Sequence, residues 1–260
     1  MKSETKRIEL LDELRGFAIL AMIVHHFFLD LGFVLGIEAG YVIFDKLCIL
    51  QPLFWAIFII ISGICSRLSR NTVKRGAIVL GAGLAVTLVT AVIMPLLGIT
   101  GAEIYFGILS CLGCCMIITG LLMPLIQKIK PVIGMAVCAA LFALTYGIGN
   151  HVLLFGLIPL PEALYQTNWL MPLGFYTDTF VSADYFALLP WLFMFLFGAF
   201  AGKYAADGAF PAWTYQRRVR FFAFIGRNSL WVYLAHQPII YALLYIFMGI
   251  LKLYAYLSVK

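Results

Sequence analysis

The residues best suited to chemistry sit in the first apolar run, LLDELRGFAILAMIVHHFFLDLG (residues 10–32). Charged and titratable side chains are costly inside a membrane span, so each one there is a functional candidate. On a helical wheel of about 100° per residue with Arg15 at zero, His26 falls near +20°, and Asp12 and Asp30 near +60°. His25 points away, at about −80°. One stripe therefore carries a cation, an imidazole and two carboxylates. Asp30 stands four residues after His26, close enough for a carboxylate to orient an imidazole or raise its basicity. Arg15 and His26 are separated by roughly 16 Å along the axis, one at the mouth of the helix and the other more than halfway across.

Other candidates are scattered. His236 and Gln237 precede Pro238 in the last apolar run, where a proline frees a backbone carbonyl and polar neighbours mark a pathway. A structural bond between helices serves His236 equally well. Asp184 and Tyr185, at the start of the sixth run, are placed to meet hydroxyl groups, and an interface anchor explains the tyrosine as readily. Six cysteines lie in or beside apolar runs. Cys111, Cys114 and Cys115 have no second cysteine pair or histidine cluster beside them, so they read as small packing residues. No metal site is expected.

The elements that must position these groups follow from composition. Of 260 residues, 63% are hydrophobic and 12% charged, and the mean hydropathy is +1.01. That excludes a soluble globular domain, a disordered tail and a nucleic-acid-binding surface. The expected fold is an all-α integral membrane protein, one bundle of about seven transmembrane helices. Apolar runs at about 12–33, 47–66, 76–97, 105–126, 131–149, 184–204 and 228–251 each approach the roughly 20 residues needed to cross a bilayer. The start, MKSETKRIELLDELRG, mixes acids with bases and shows no cleavage pattern, so the first helix reads as a retained span.

With the N-terminus cytoplasmic and the C-terminus external, fifteen of the 18 Lys and Arg fall inside, leaving Lys46, Lys252 and Lys260 outside. Such an asymmetry orients a membrane protein. The segment 150–183 is then an external loop or cap, rich in aromatics. Residues 1–260 are taken as a single domain, with the cell membrane as the expected location. No paired half-repeat is visible. A polytopic transporter or channel for a small polar solute, which would also bury His, Asp and Arg, is the alternative.

An Arg-Gly at the mouth of the first helix, with ten residues between Arg15 and His26, resembles the transmembrane acyltransferase superfamily. Within it the chain is most similar to the heparan-α-glucosaminide N-acetyltransferase catalytic-domain family. The likeness rests on RIELLDELRGFAILAMIVHHFF (7–28), FIIISGICSRLSRNTVKRG (58–76), DYFALLPWLFMFLFGAFAGKY (184–204) and IGRNSLWVYLAHQPIIY (225–241). The resemblance implies an acetyltransferase with acetyl-CoA as cytoplasmic donor and an amine or hydroxyl of a sugar or glycoconjugate as external acceptor. It places His26 at the catalytic position and Arg15 on the cofactor side. Eukaryotic lysosomal members carry Asn where His26 stands and a working His further on. The stretch GFVLGIEAGYVIF has none, so His25 or His26 would do that work here.

Acyl transfer from a thioester needs a donor anchor, a base for the acceptor and help for the oxyanion. His26 would take the acceptor's proton or be transiently acetylated, with Asp30 as the orienting acid and His25 as the second choice. Arg67, Arg70, Lys74 and Arg75, with Arg15 and Arg227, supply cations for the CoA phosphates. Arg15 and Arg227 are expected to begin helices. Gly226, Asn228 and Ser229 are expected to present a helix N-terminus with free amides, an anion site. Asp184, Tyr185 and His236 are the acceptor-side candidates. Lipid is the other partner, no nucleic acid is expected, and a homodimer is left open.

Overall fold

A computed structural model describes residues 7–258. Lys2, Lys6 and Lys260, three of the charges assigned to a side above, lie outside the described residues. Seven helices are long and apolar enough to cross a membrane: Glu9–Leu35, Gln51–Leu68, Thr72–Leu96, Ile108–Ile126, Pro131–Asn150, Leu188–Ala206 and Ser229–Ser258. The all-α membrane fold expected from hydropathy is the one observed. Between the spans stand two helices that hydropathy does not reveal, Glu38–Cys48 and Arg220–Arg227. Both are too short to cross a bilayer.

In chain order the helices are α1 (Glu9–Leu35), α2 (Glu38–Cys48), α3 (Gln51–Leu68), α4 (Thr72–Leu88), α5 (Met94–Leu96) and α6 (Ile108–Ile126). They continue with α7 (Pro131–Thr145), α8 (Leu188–Ala206), α9 (Arg220–Arg227) and α10 (Ser229–Ser258). A π-helical turn, Val89–Ile93, joins α4 to α5 into one span. The chain divides into two compact units, Met1–Phe58 with Pro211–Lys260, and Ile59–Phe210.

The first unit is built around α1, which packs on α2, α9 and α10. Water-driven burial does not draw helices together inside lipid, so close packing of small residues has to. At the crossing of α1 and α9, a Cβ on Gly16 would strike the Phe222 carbonyl oxygen, and one on Gly226 would strike the Asp12 carbonyl oxygen. Only glycine permits that approach. Against α2 the same device recurs, where a Cβ on Gly40 would stand 2.7 Å from Gly32 N and 2.8 Å from Phe28 O.

The second unit pairs α4 with α6 and α7 with α8. Asn71 caps α4 by accepting Lys74 N–H at 2.8 Å, and the Thr72 hydroxyl donates to Ser66 O at 2.8 Å. The 150–183 segment is ordered by local structure. It holds a two-residue antiparallel pair, β1 (Val152–Leu153) with β2 (Ile158–Pro159), and several short 3-10 turns. Tyr165 donates to Ile148 O at 2.5 Å and carries the His151 ring stacked on its own, centroids 3.6 Å apart. Asp184 accepts Ile108 N–H at 3.1 Å, capping the start of α6, and Tyr185 donates its hydroxyl to Met171 O at 2.6 Å.

Candidate active site

Two polar clusters occupy the first unit, one at the N-terminal end of α1 and one deep in its span. In the first, Asp12 is only 5% exposed and Glu13 6%. Asp12 is met by Arg7 at 2.6 Å, Arg227 at 3.4 Å and Arg15 at 3.7 Å. Glu9 holds Arg227 at 2.6 Å and Arg217 at 3.0 Å. Glu13 accepts two backbone N–H groups, from Arg218 at 2.6 Å and Val219 at 2.8 Å. These are the residues that lead into α9, so a buried carboxylate sits where that helix leaves its first amides unpaired. Three consecutive-turn acids of α1 thus pin the segment 217–227.

This arrangement corrects two expectations. Arg15 lies inside α1, which begins at Glu9, and Arg227 closes α9 rather than opening a helix. Of the expected helix N-terminus at Gly226, Asn228 and Ser229, the Asn228 amide is not free, but α10 does begin at Ser229. Asn228 caps the C-terminus of α9, its N–H taken by Phe224 O at 3.2 Å and Ile225 O at 3.1 Å, and Gly226 is pressed on the Asp12 carbonyl. The apolar run expected at about 228–251 is α10, which starts at Ser229, and the break at Asn228 separates it from α9.

The second cluster joins α1 to α10. His26 and His236 face each other with ring centroids 5.3 Å apart and planes inclined at 51°. Gln237 Nε2 lies 3.4 Å from His26 Nδ1. Asp30 is buried to 3% exposure, with Gln237 and Tyr241 of α10 as its polar neighbours, and its Oδ2 has no hydrogen-bond partner. His236 Nδ1 is hydrogen-bonded to the Tyr233 carbonyl, and its Nε2 is buried without a hydrogen-bond partner. His25 faces the other way, its Nε2 3.4 Å from Cys48 Sγ and its ring 4.4 Å from that of Phe44, both on α2.

Gln237 and Tyr241 matter more here than their neighbours in sequence suggest. Their signal is an i, i+4 polar pair in an otherwise apolar span, which puts both on one face of α10. The cluster is only partly satisfied: Asp30 Oδ2, Gln237 Oε1 and His236 Nε2 are buried without a hydrogen-bond partner. Among the described residues no group of three or more His, Cys, Asp or Glu is arranged to hold a metal.

The remaining candidates belong to the second unit. Arg67 directs Nη1 toward Met123 Sδ at 3.4 Å, Arg70 is exposed at the turn between α3 and α4, and Arg75 is exposed near the start of α4. Asp184 and Tyr185 are engaged by the α6 N-terminus and by Met171 O, as described above.

Residues 7–238 match the family described as heparan-alpha-glucosaminide N-acetyltransferase, catalytic. The chain belongs to that family. No curated protein and no solved structure matches it. As a heparan-alpha-glucosaminide N-acetyltransferase-like protein it is a multi-pass membrane acetyltransferase. The matched stretch begins just before α1 and ends at Pro238, so it takes in Asp30, His26, His236 and Gln237. Tyr241, the neighbour of Asp30 on α10, stands beyond it.

Proposed function

We propose that this acetyltransferase takes the acetyl group of acetyl-CoA from the cytoplasm and delivers it to an amine or hydroxyl of a sugar or glycoconjugate at the external side. The protein works as a single domain in the cell membrane, N-terminus inside and C-terminus outside. The fifteen-to-three division of Lys and Arg supports this orientation.

One observation carries the reading: an imidazole pair, His26 and His236, with Gln237 and Asp30, buried within two apolar spans of an acetyltransferase-family chain. Burial of so many polar groups in lipid is expensive without a function to perform. In the reaction the thioester carbon bonds to the acceptor nitrogen or oxygen, the C–S bond breaks, and the acceptor's proton ends on the CoA sulfur. An imidazole is suited to carry that proton, since its ordinary pKa of about 6.5 lies near neutrality. His26 is central to the transfer and Asp30 holds the cluster in place, while His25 serves as packing against α2.

For the donor's phosphates the first unit offers Arg15 and Arg227, with Asn228 and Ser229 beside the last, and the second unit offers Arg67, Arg70 and Arg75 as a separate set of cations. Arginine suits this role because its guanidinium holds phosphate through two parallel N–H bonds. Arg15 and Arg227 already carry Asp12 and Glu9 as counter-ions, so a phosphate would share or displace those carboxylates. On the acceptor side, His236 lines the reacting centre, and Asp184 and Tyr185 hold the 150–183 segment that receives the sugar.

The test uses purified protein in lipid nanodiscs with labelled acetyl-CoA and a panel of amino and neutral sugars. Acceptor-dependent release of CoA thiol with label on the sugar is expected. Absence of both transfer and acetyl-CoA hydrolysis across the panel would overturn the reading.

A further inference from the structure

The two imidazoles of the buried cluster carry their protons on different nitrogens, and this divides the work between them. A carbonyl oxygen only accepts hydrogen bonds, so the His236 Nδ1 facing Tyr233 O bears the proton. In the neutral ring the other nitrogen is then an open lone pair. That atom, His236 Nε2, is buried and has no partner, although His236 is only 7% exposed. A buried acceptor left unsatisfied is costly and calls for an explanation.

His26 is fixed the opposite way. The Gln237 amide nitrogen, which can only donate, lies 3.4 Å from His26 Nδ1. An N–H donor there requires a lone pair on Nδ1, so the ring proton of neutral His26 is on Nε2. One imidazole thus offers a lone pair and its neighbour an N–H, with centroids 5.3 Å apart.

We propose that His236 Nε2 is the base that takes the acceptor's proton, and that His26 Nε2–H is the donor that steadies the oxyanion. This rests on the acetyl-transfer reading above and reverses the expectation that His26 is the base. The acceptor's lone pair forms the new bond to the thioester carbon as its N–H or O–H proton passes to His236 Nε2. The C–S electron pair returns to sulfur, which takes that proton from the His236 imidazolium and leaves as CoA thiol. His26 keeps its proton throughout, and nothing is oxidised or reduced. Gln237 is a positioning residue, acting on substrate only by holding the His26 ring in one tautomer.

The chain has four histidines, so the tautomers can be read directly from imidazole 15N chemical shifts. Protein labelled at histidine would be measured in nanodiscs at a pH of about 8, above the ordinary histidine range, with single-histidine variants for assignment. His236 is expected to show a protonated Nδ1 and His26 a protonated Nε2. Gln237→Leu should remove the preference at His26 and leave His236 unchanged, a response that a purely structural glutamine would not give. Protonation at His236 Nε2 or His26 Nδ1 in the wild-type protein overturns the proposal.

Turnover supplies the second reading. Glutamine keeps an N–H but is no base, so His26→Gln should stay within about tenfold of wild type while His26→Ala loses roughly 10²–10³-fold. His236→Gln and His236→Ala should both lose on the order of 10²–10⁴-fold. Active His236→Gln with dead His26→Gln overturns the division of labour. Correct tautomers in a protein that transfers acetyl to no acceptor would sink the acetyl-transfer reading and the catalytic roles with it. Transfer with the opposite tautomers would leave that reading standing and remove only this one.

Discussion

Glu13 is the residue whose removal should most clearly loosen the N-terminal end of the site. Its carboxylate accepts Arg218 N–H at 2.6 Å and Val219 N–H at 2.8 Å, while the residue itself is 6% exposed. Hydrogen bonds to a charged group contribute about 1.5–3 kcal/mol each. The lower end applies here, because Arg218 and Val219 are exposed and water can reach their amides once the carboxylate is gone. Glu13→Ala should therefore weaken the docking of α9 by about 2–3 kcal/mol, and Glu13→Gln, which keeps a neutral acceptor, by about half that. Hydrogen exchange reads the loss locally: about 2–3 kcal/mol corresponds to a rise of roughly 30- to 150-fold in exchange over residues 218–224. Exchange within threefold of wild type in Glu13→Ala would refute the capping role. So would equal losses in the Ala and Gln variants, since the acceptor atom would then not be what matters.

Further outcomes follow from other contacts. Gly226→Val places a side chain against the Asp12 carbonyl and should separate α9 from α1, costing about 1–3 kcal/mol in a thermal melt, whereas Gly249→Ala, in open space, should be neutral. CoA at millimolar concentration should raise the melting temperature, dephospho-CoA should raise it less, and Arg15→Ala should weaken the effect; a flat response argues against the donor. A cysteine introduced between residues 150 and 183, or near Glu38, should be labelled from outside intact cells. One near Arg70 or Arg217 should not, and the reverse pattern would invert the donor and acceptor sides.

The spans were legible because lipid imposes a single requirement, roughly 20 apolar residues with their backbone bonds satisfied internally. The polar stripe of α1 was legible for the same reason, since Asp12, Arg15, His26 and Asp30 interrupt an otherwise apolar helix. Helices α2 and α9 were not, because neither has the length of a span and both depend on contacts with α1 at Gly40 and Gly226. Reading Arg227 as the start of a helix failed because a short extra helix, α9, closes there, whereas α10 does begin beside Asn228, at Ser229. The part of Gln237 is likewise a tertiary fact. Its spacing to Tyr241 shows in the sequence, but only the packing of α10 on α1 sets its amide between Asp30 and His26.

The most direct test of the account is single-turnover acetyl transfer by the purified wild-type protein and its His26→Ala variant, both shown to bind CoA. Label should move from acetyl-CoA to a sugar acceptor in the wild type and at least about 10²-fold more slowly in the variant. Transfer at the wild-type rate by His26→Ala, or no transfer by the wild type to any amine or hydroxyl acceptor, would contradict it.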